Sequence, residues 1–298
     1  MVYFRMYGRL GNFLFQYATA LSLGKGRVVA VVEDDVTFAD VKKYPSLFGG
    51  LEIVRTVPTG IRHLKQGNIF DPVDTSCIGE GDVLLDGYFQ SEQYIDREVV
   101  RPAYAMPEGL ERGLRERYGA ALSVPQVTSI HVRRGDYLKL PQFHPFVGEQ
   151  YFIKALARLP DCCEYIVCSD DLAWCRSFFP QRFSNCHFTF SEEKGPLEDI
   201  YLCSLCHNHI MSNSSFSWWG AWLDEHSDKR ILAPSNWFGF ALAKGLKHDW
   251  SPIYLDGTEV ISNPPTLSFW WHAHWKYYQF KRADRRERHL RRKIAARI

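Results

Sequence analysis

The chain has 298 residues, of which 46% are hydrophobic and 23% charged, with a formal net charge of +2. That apolar fraction excludes a disordered polymer, and the length exceeds one ordinary core and suits two domains. No stretch reaches the ~18 apolar residues of a membrane-spanning helix, and the opening MVYFRMYGRLGN has no basic, apolar and cleavage regions of a secretory signal; the expectation is a cytoplasmic protein whose eight cysteines are thiols.

In chain order, VYFRM (2–6) reads as a short strand and YGRLGN (7–12) as a glycine-containing turn. FLFQYATALSL (13–23) carries a helical apolar stripe and stops at GKG. RVVAVVEDD (27–35) and GDVLLDGYFQ (81–90) read as further strands, while residues 56–74 show no clear period. From Val127 the alternation is regular: strand VTSIHV, helix GEQYFIKALARL, strand EYIVCSDD, helix DLAWCRSFF, strand CHFTF, helix PLEDIYLCSLC, strand HIMSN, helix SFSWWGAWLDEH and strand RILAPSN. Such alternation predicts parallel sheets covered on both faces. The expected units are residues 1–125, residues 126–264, and an aromatic and basic tail over 265–298 entered through NPPT. From Lys276 onward ten Lys or Arg stand against Asp284 and Glu287, a local +8 that leaves −6 on the rest.

Polar residues gather where the expected strands end: Arg133 and Arg134, Ser169 to Asp171, Ser191 and Glu192, Asn213 to Ser215, Ser235 and Asn236. Ligands of open α/β sheets bind at those carboxyl ends. The first half repeats the habit with Asp86, Tyr88 and Gln90, so two such halves would face each other across a cleft.

Within that frame HVRRGDY (131–137) supplies guanidinium groups that hold phosphate oxygens bidentately; the plainer alternative is an ion pair with Asp136. SNSS (212–215) stands between a strand and a helix, where free N–H groups and hydroxyls cradle phosphate; the plainer alternative is an N-cap. Together the two stretches favour a phosphate site. CSLCHNH (203–209) has metal-like spacing, but its apolar neighbours continue a helical stripe and Cys203 and Cys206 read as core. There is no Walker loop and no Asp-x-Asp, so no metal is expected to hold a diphosphate. The tail, FWWHAHWKYYQFKRADRRERHLRRKIAARI, is read as rings packing on the body and a basic end adhering to an anionic membrane surface, with no nucleic acid partner.

GRLGNFLFQYATALSL, HVRRGDY and SNSSFSWWGAWL, with DGYFQSEQY and CSDDLAWC between them, resemble in order and spacing the hallmarks of the inverting α1,2-fucosyltransferases of bacterial type. Arg9 stands where that family often has a second glycine, and Phe13 where it has Gln. The resemblance implies an α/β GT-B architecture of two Rossmann-like domains facing a cleft. It further implies GDP-L-fucose as donor, a galactose-terminated oligosaccharide or glycolipid as acceptor, and independence of metal or other cofactor. On it, His131, Arg133, Arg134, Asp170, Asp171, Asn213, Ser214, Ser215 and Phe216 are expected to bind the donor, with Arg133 first and Arg134 second on the leaving diphosphate. Asn12, Gln16, Tyr88, Gln90, Glu92 and His144 are expected on the acceptor side. The base is left among Asp136, Asp86, His144 and Glu92. The rival readings are a transferase of another sugar nucleotide or linkage, and a non-catalytic binding module tethered by its tail.

Overall fold

A computed structural model describes residues 1–25, 27–159, 163–243, 249–264 and 266–295, with the side chains of 284 and 287–295 outside the description. The first half contains β1 (Val2–Arg5), α1 (Leu10–Gly24), β2 (Val28–Val31), α2 (Asp35–Val41), α3 (Pro45–Phe48), β3 (Glu52–Val54), β4 (Arg62–Lys65), β5 (Val83–Asp86), α4 (Arg97–Ala103) and α5 (Glu108–Leu122). The second contains β6 (Thr128–Val132), α6 (Glu149–Leu156), β7 (Glu164–Ser169), α7 (Leu172–Arg182), β8 (His187–Phe190), α8 (Pro196–Ser204), β9 (Asn208–Ile210), α9 (Ser215–Leu223), β10 (Ile231–Pro234), α10 (Phe240–Ala243) and β11 (Glu259–Ile261), followed by α11 (Leu267–Ala295).

Among the described residues the strands form two separate sheets, ordered β3-β2-β1-β5-β4 and β11-β10-β9-β6-β7-β8. Every pairing is parallel. Two Rossmann-like layers facing a shared cleft make a GT-B-like α/β architecture. The central strand β6 is buried along its whole length, as a strand covered on both faces should be. In each sheet the crossover reverses beside a central strand, β1 or β6, and the carboxyl ends of those strands open a crevice.

The halves are welded by α1 and α9. Phe15 meets Trp218 and Trp219 at 4.5 and 4.9 Å between ring centroids. Three buried indoles of α9 each find an acceptor: Trp218 on the Ile253 carbonyl at 2.7 Å, Trp219 on the Gly11 carbonyl at 3.0 Å, and Trp222 on Glu92 at 3.0 Å. Burying a ring while satisfying its N–H keeps the full apolar gain without a desolvation penalty.

Several boundaries differ from the sequence expectation. The expected turn over 7–12 is shorter, because α1 starts at Leu10; Gly8, at φ 98°, makes the turn alone. The strand expected over 81–90 stops at Asp86, and Gly87 to Gln90 leave the sheet toward the cleft. Helix α9 stops at Leu223 rather than running to His226, because Asp224 is drawn into the interior by His209 at 2.9 Å and His226 at 2.6 Å. The core reading of Cys203 and Cys206 holds: both are buried, and Cys206, just past the end of α8, contacts the Leu202 carbonyl of that helix.

Candidate active site

The residues after β6 and the residues before α9 converge. His131 Nδ1 lies 2.7 Å from the Ser212 hydroxyl, and its ring stacks on Phe216 at 4.4 Å. The Tyr137 hydroxyl donates to the Asn213 carbonyl at 3.0 Å. Burial, with Arg133 adding to it, lowers the His131 pKa to about 3, so its imidazole is neutral at physiological pH. A neutral ring here shapes the site and adds no charge to it.

The two arginines do different things. Arg133 Nε and a terminal nitrogen meet Asp136 at 3.0 and 2.8 Å, and the other terminal nitrogen faces Asp170 at 3.2 Å. Burial works against its charge, but the two carboxylates outweigh it and the net shift is upward. Each terminal nitrogen carries a second N–H, so a half-buried, permanently charged fork remains able to donate. Arg134 is instead enclosed. Its guanidinium lies 4.3 Å from the Trp174 ring centroid and 4.5 Å from that of Phe146, and Nε donates to Asp171 at 2.9 Å. Asp171 also caps α7 through the Trp174 N–H, and Asp170 accepts from the Arg134 backbone N–H at 2.9 Å. Asp170 and Asp171 are therefore committed to the loop that carries the arginines. Gly135 permits this packing, since a Cβ there would stand 2.7 Å from an Asp170 oxygen.

The polar side chains of SNSS are mostly occupied by structure. Asn213 donates to the carbonyls of Pro145 and Trp237, both at 2.9 Å, and Ser214 caps α9 through the Phe216 N–H. Ser215 reaches Asn12 at 3.3 Å, and Asn12 in turn accepts from Gln90 at 2.7 Å. What the stretch offers an anion is its backbone, at the positive end of α9. The start of α1 adds a second such end: a Cβ on Gly11 would fall 2.4 Å from Ser215 Oγ and 2.9 Å from the Phe216 nitrogen. Only glycine lets the two helix starts approach so closely.

On the first-half side, a cavity of about 340 Å3 is lined by Tyr7, Gln66, Asn68, Tyr88, Phe238 and Leu242, among others, and so draws on both halves. Tyr7 and Tyr88 meet edge to face at 4.9 Å. Asp86 sits at the end of β5, next to the lining residues Gly87 and Tyr88, and pairs with Arg5 at 2.5 Å. Gln16 fixes this wall from behind, accepting from the Tyr7 N–H at 3.2 Å and donating to the Gly87 carbonyl at 3.4 Å. Gln66 Oε1 accepts from the N–H groups of Tyr88 and Phe89 at 3.1 and 3.0 Å. Those two bonds hold Phe89 at φ 51°, a left-handed conformation costly for a bulky residue.

His144 stacks on Tyr137 at 4.7 Å beside the arginine loop rather than on the cavity wall. Burial lowers its pKa, with Asp136 opposing. The structure does not bring Glu92 to the cleft: its carboxylate is taken by Arg97 and by Trp222, toward the opposite end of α9. The sequence reading missed Tyr7, Gln66, Asn68 and Phe238. Tyr7 directly precedes the Gly8 motif and was within reach; Gln66 and Asn68 lie in the stretch without a period, and Phe238 crosses from the other half.

Residues 85–253, more than half of the chain, match Glycosyl transferase family 11. The chain belongs to that family. This agrees with the resemblance to α1,2-fucosyltransferases carried by the motifs. Among its relatives, the O-antigen biosynthesis glycosyltransferase WbnK of Escherichia coli is 33% identical over 165 residues, covering 52% of this chain and 55% of the relative, so the match spans about half of WbnK's length. An alpha-1,2-colitosyltransferase of Escherichia coli is 28% identical, covering 78% and 91%. The galactoside 2-alpha-L-fucosyltransferase Sec1 of Mus musculus is 27% identical, covering 74% and 63%. A solved structure of the fucosyltransferase NodZ from Bradyrhizobium aligns with a TM-score of 0.47 at 13% identity, covering 74% and 93%.

Proposed function

We propose that this glycosyl transferase family 11 member moves L-fucose from GDP-L-fucose to the 2-hydroxyl of a terminal β-galactoside with inversion, in the synthesis of a surface glycan such as lipopolysaccharide, and without a metal. The observation that carries the reading is the convergence of the Arg133 fork with the start of α9, across the cleft from a ring-lined cavity. The diphosphate lies against Arg133 and the positive ends of α9 and α1. As the fucosyl–oxygen bond breaks, negative charge grows on the leaving phosphate, and preorganised donors stabilise it most at that moment. Arg134 supports the loop and contributes charge at longer range. The galactoside occupies the cavity between Tyr7, Tyr88 and Phe238. Asp86, oriented by Arg5 at the rim of that cavity, accepts the proton of the attacking hydroxyl; Asp136 is spent on Arg133, and His144 is stacked on Tyr137.

A second reading, colitosyl transfer, is favoured by the length over which the colitosyltransferase aligns. Both use the same phosphate chemistry and differ at the sugar. The test is a panel of GDP-, UDP- and CMP-sugars offered with lactose to the purified chain, following donor loss. Consumption of GDP-L-fucose with a fucosylated product supports the first reading; preference for the colitosyl donor selects the second. Consumption of only UDP- or CMP-sugars overturns both.

A further inference from the structure

Helix α11 does not pack as a uniform tail. One face seats on the body: Ala273 is buried, His274 stacks on Phe240 at 4.0 Å, Tyr277 meets Phe240 edge-on at 5.2 Å, and Phe280 meets Phe143 at 5.2 Å. The opposite face leaves Leu267, Trp271, Trp275 and Tyr278 with 80%, 68%, 60% and 60% of their surface exposed. Their spacing of four, four and three residues sets them in one stripe about 17 Å long, and the exposed Arg282 continues it. The sequence expectation that the rings pack on the body thus holds for His274, Tyr277 and Phe280 but not for Trp271, Trp275 and Tyr278.

The surface beneath α11 matters. Gly239 donates to the Phe143 carbonyl at 2.7 Å and Ala241 to the Gln142 carbonyl at 3.0 Å, which joins the segments over 141–146 and 236–243 into one platform. Phe238 and Leu242 of that platform line the cleft cavity. The free stripe is therefore carried on the rim of the cleft.

We infer that α11 docks the protein on an anionic bilayer surface, with the stripe from Leu267 to Tyr278 in the interface and the following basic residues on the headgroups, so that the cleft rim is held at the membrane. Tryptophan and tyrosine partition to the bilayer interface, and a polybasic run beside them is drawn to anionic lipid. Charge decides among occupants. Ten Lys or Arg against two acids follow from Lys276, so a second copy laid on this stripe would bring like charges together. Among the described residues no helix is long and apolar enough to cross the membrane, so the contact is peripheral. Resting on the transferase reading, a docked cleft would receive a galactoside borne on lipid.

The test is sedimentation of the full chain with vesicles of mixed phosphatidylcholine and phosphatidylglycerol, and with pure phosphatidylcholine, in the absence of any donor. Binding to the mixed vesicles is expected to fall at least about tenfold in the Trp271→Ser, Trp275→Ser double variant. It is expected to fall on the order of a hundredfold in the Arg282→Gln, Arg285→Gln, Arg286→Gln variant, at about fivefold per arginine. Circular dichroism and turnover of lactose stay unchanged in both, while turnover of a galactolipid in mixed vesicles drops with binding. Equal sedimentation of all forms, equal binding to neutral vesicles, or a dimer or RNA complex that the double variant abolishes without vesicle binding overturns the docking. Loss of vesicle binding with unchanged galactolipid turnover overturns the presentation of the acceptor. Because sedimentation needs no substrate, failure of the transferase reading leaves its result intact.

Discussion

The carboxyl edge of the second sheet is built from paired charges, Arg133 and Arg134 with Asp136, Asp170 and Asp171. The facing edge of the first sheet is built mainly from amides and phenols: Gln16, Gln66 and Asn68 with Tyr7 and Tyr88, beside Arg5 and its carboxylate partners Asp86 and Glu33. The contrast follows the two substrates proposed for the cleft. A diphosphate needs fixed cations that do not reorganise as its charge grows, and carboxylates behind those cations hold them in place. A neutral sugar needs ring faces and hydrogen-bond partners, and a strong local charge would bind water there instead.

The contrast breaks first at Arg133. Replacing it with Ala removes the cation, and replacing it with Lys restores a charge without the planar fork. Both variants are expected to lose on the order of a hundredfold to a thousandfold in kcat, with KM for the galactoside little changed and the circular dichroism spectrum intact. A Lys variant with near-wild-type kcat would remove Arg133 from the leaving group. Across the cleft, Asp86→Asn keeps the shape of the wall and a weaker contact with Arg5. It is expected to lower kcat about a hundredfold, the usual loss of a positioned base, with KM for the donor little changed. A kcat close to wild type would move the base elsewhere.

How much of this was legible in the sequence depends on the wall. The donor wall announces itself, since HVRRGDY and SNSS sit at strand ends in a regular alternation that predicts their convergence. What could not be read was the division of labour within it: only packing shows that Trp174 and Phe146 enclose Arg134 and leave Arg133 free to donate. The acceptor wall is quieter. Strands β3 and β4 have three and four residues, too few to establish a period, and β4 carries Arg62, His63 and Lys65. Gln66 follows directly, and nothing in its neighbours marks it as the amide that holds the turn at Phe89. Helix α5 shows little apolar period because Glu and Arg dilute its face; its buried residues Leu114, Tyr118 and Ala121 pack toward α8 and β7.

Two smaller effects sharpen the comparison. Gln66→Ala strips the acceptor from two backbone N–H groups behind the acceptor wall and is expected to lose about 1–3 kcal/mol of stability, measured by urea unfolding, with KM for the galactoside rising and KM for the donor steady. A matching rise in donor KM would mean the walls are not independent. Arg134→Lys is expected to lose about 1 kcal/mol of stability through the weakened contact with Trp174 and Phe146, with kcat close to wild type. A rate loss as large as that of Arg133→Lys would show that both arginines grip the leaving phosphate.

The central claim is that fixed protein charges, without a metal, carry an inverting transfer. Its most direct test is a proton NMR assay of GDP-L-fucose and lactose with the purified chain in excess EDTA. Turnover is expected to be undiminished, with one product, α-fucose on the galactose 2-hydroxyl. Turnover that stops in EDTA and returns with a divalent cation, or a product with the retained β anomer, would contradict it.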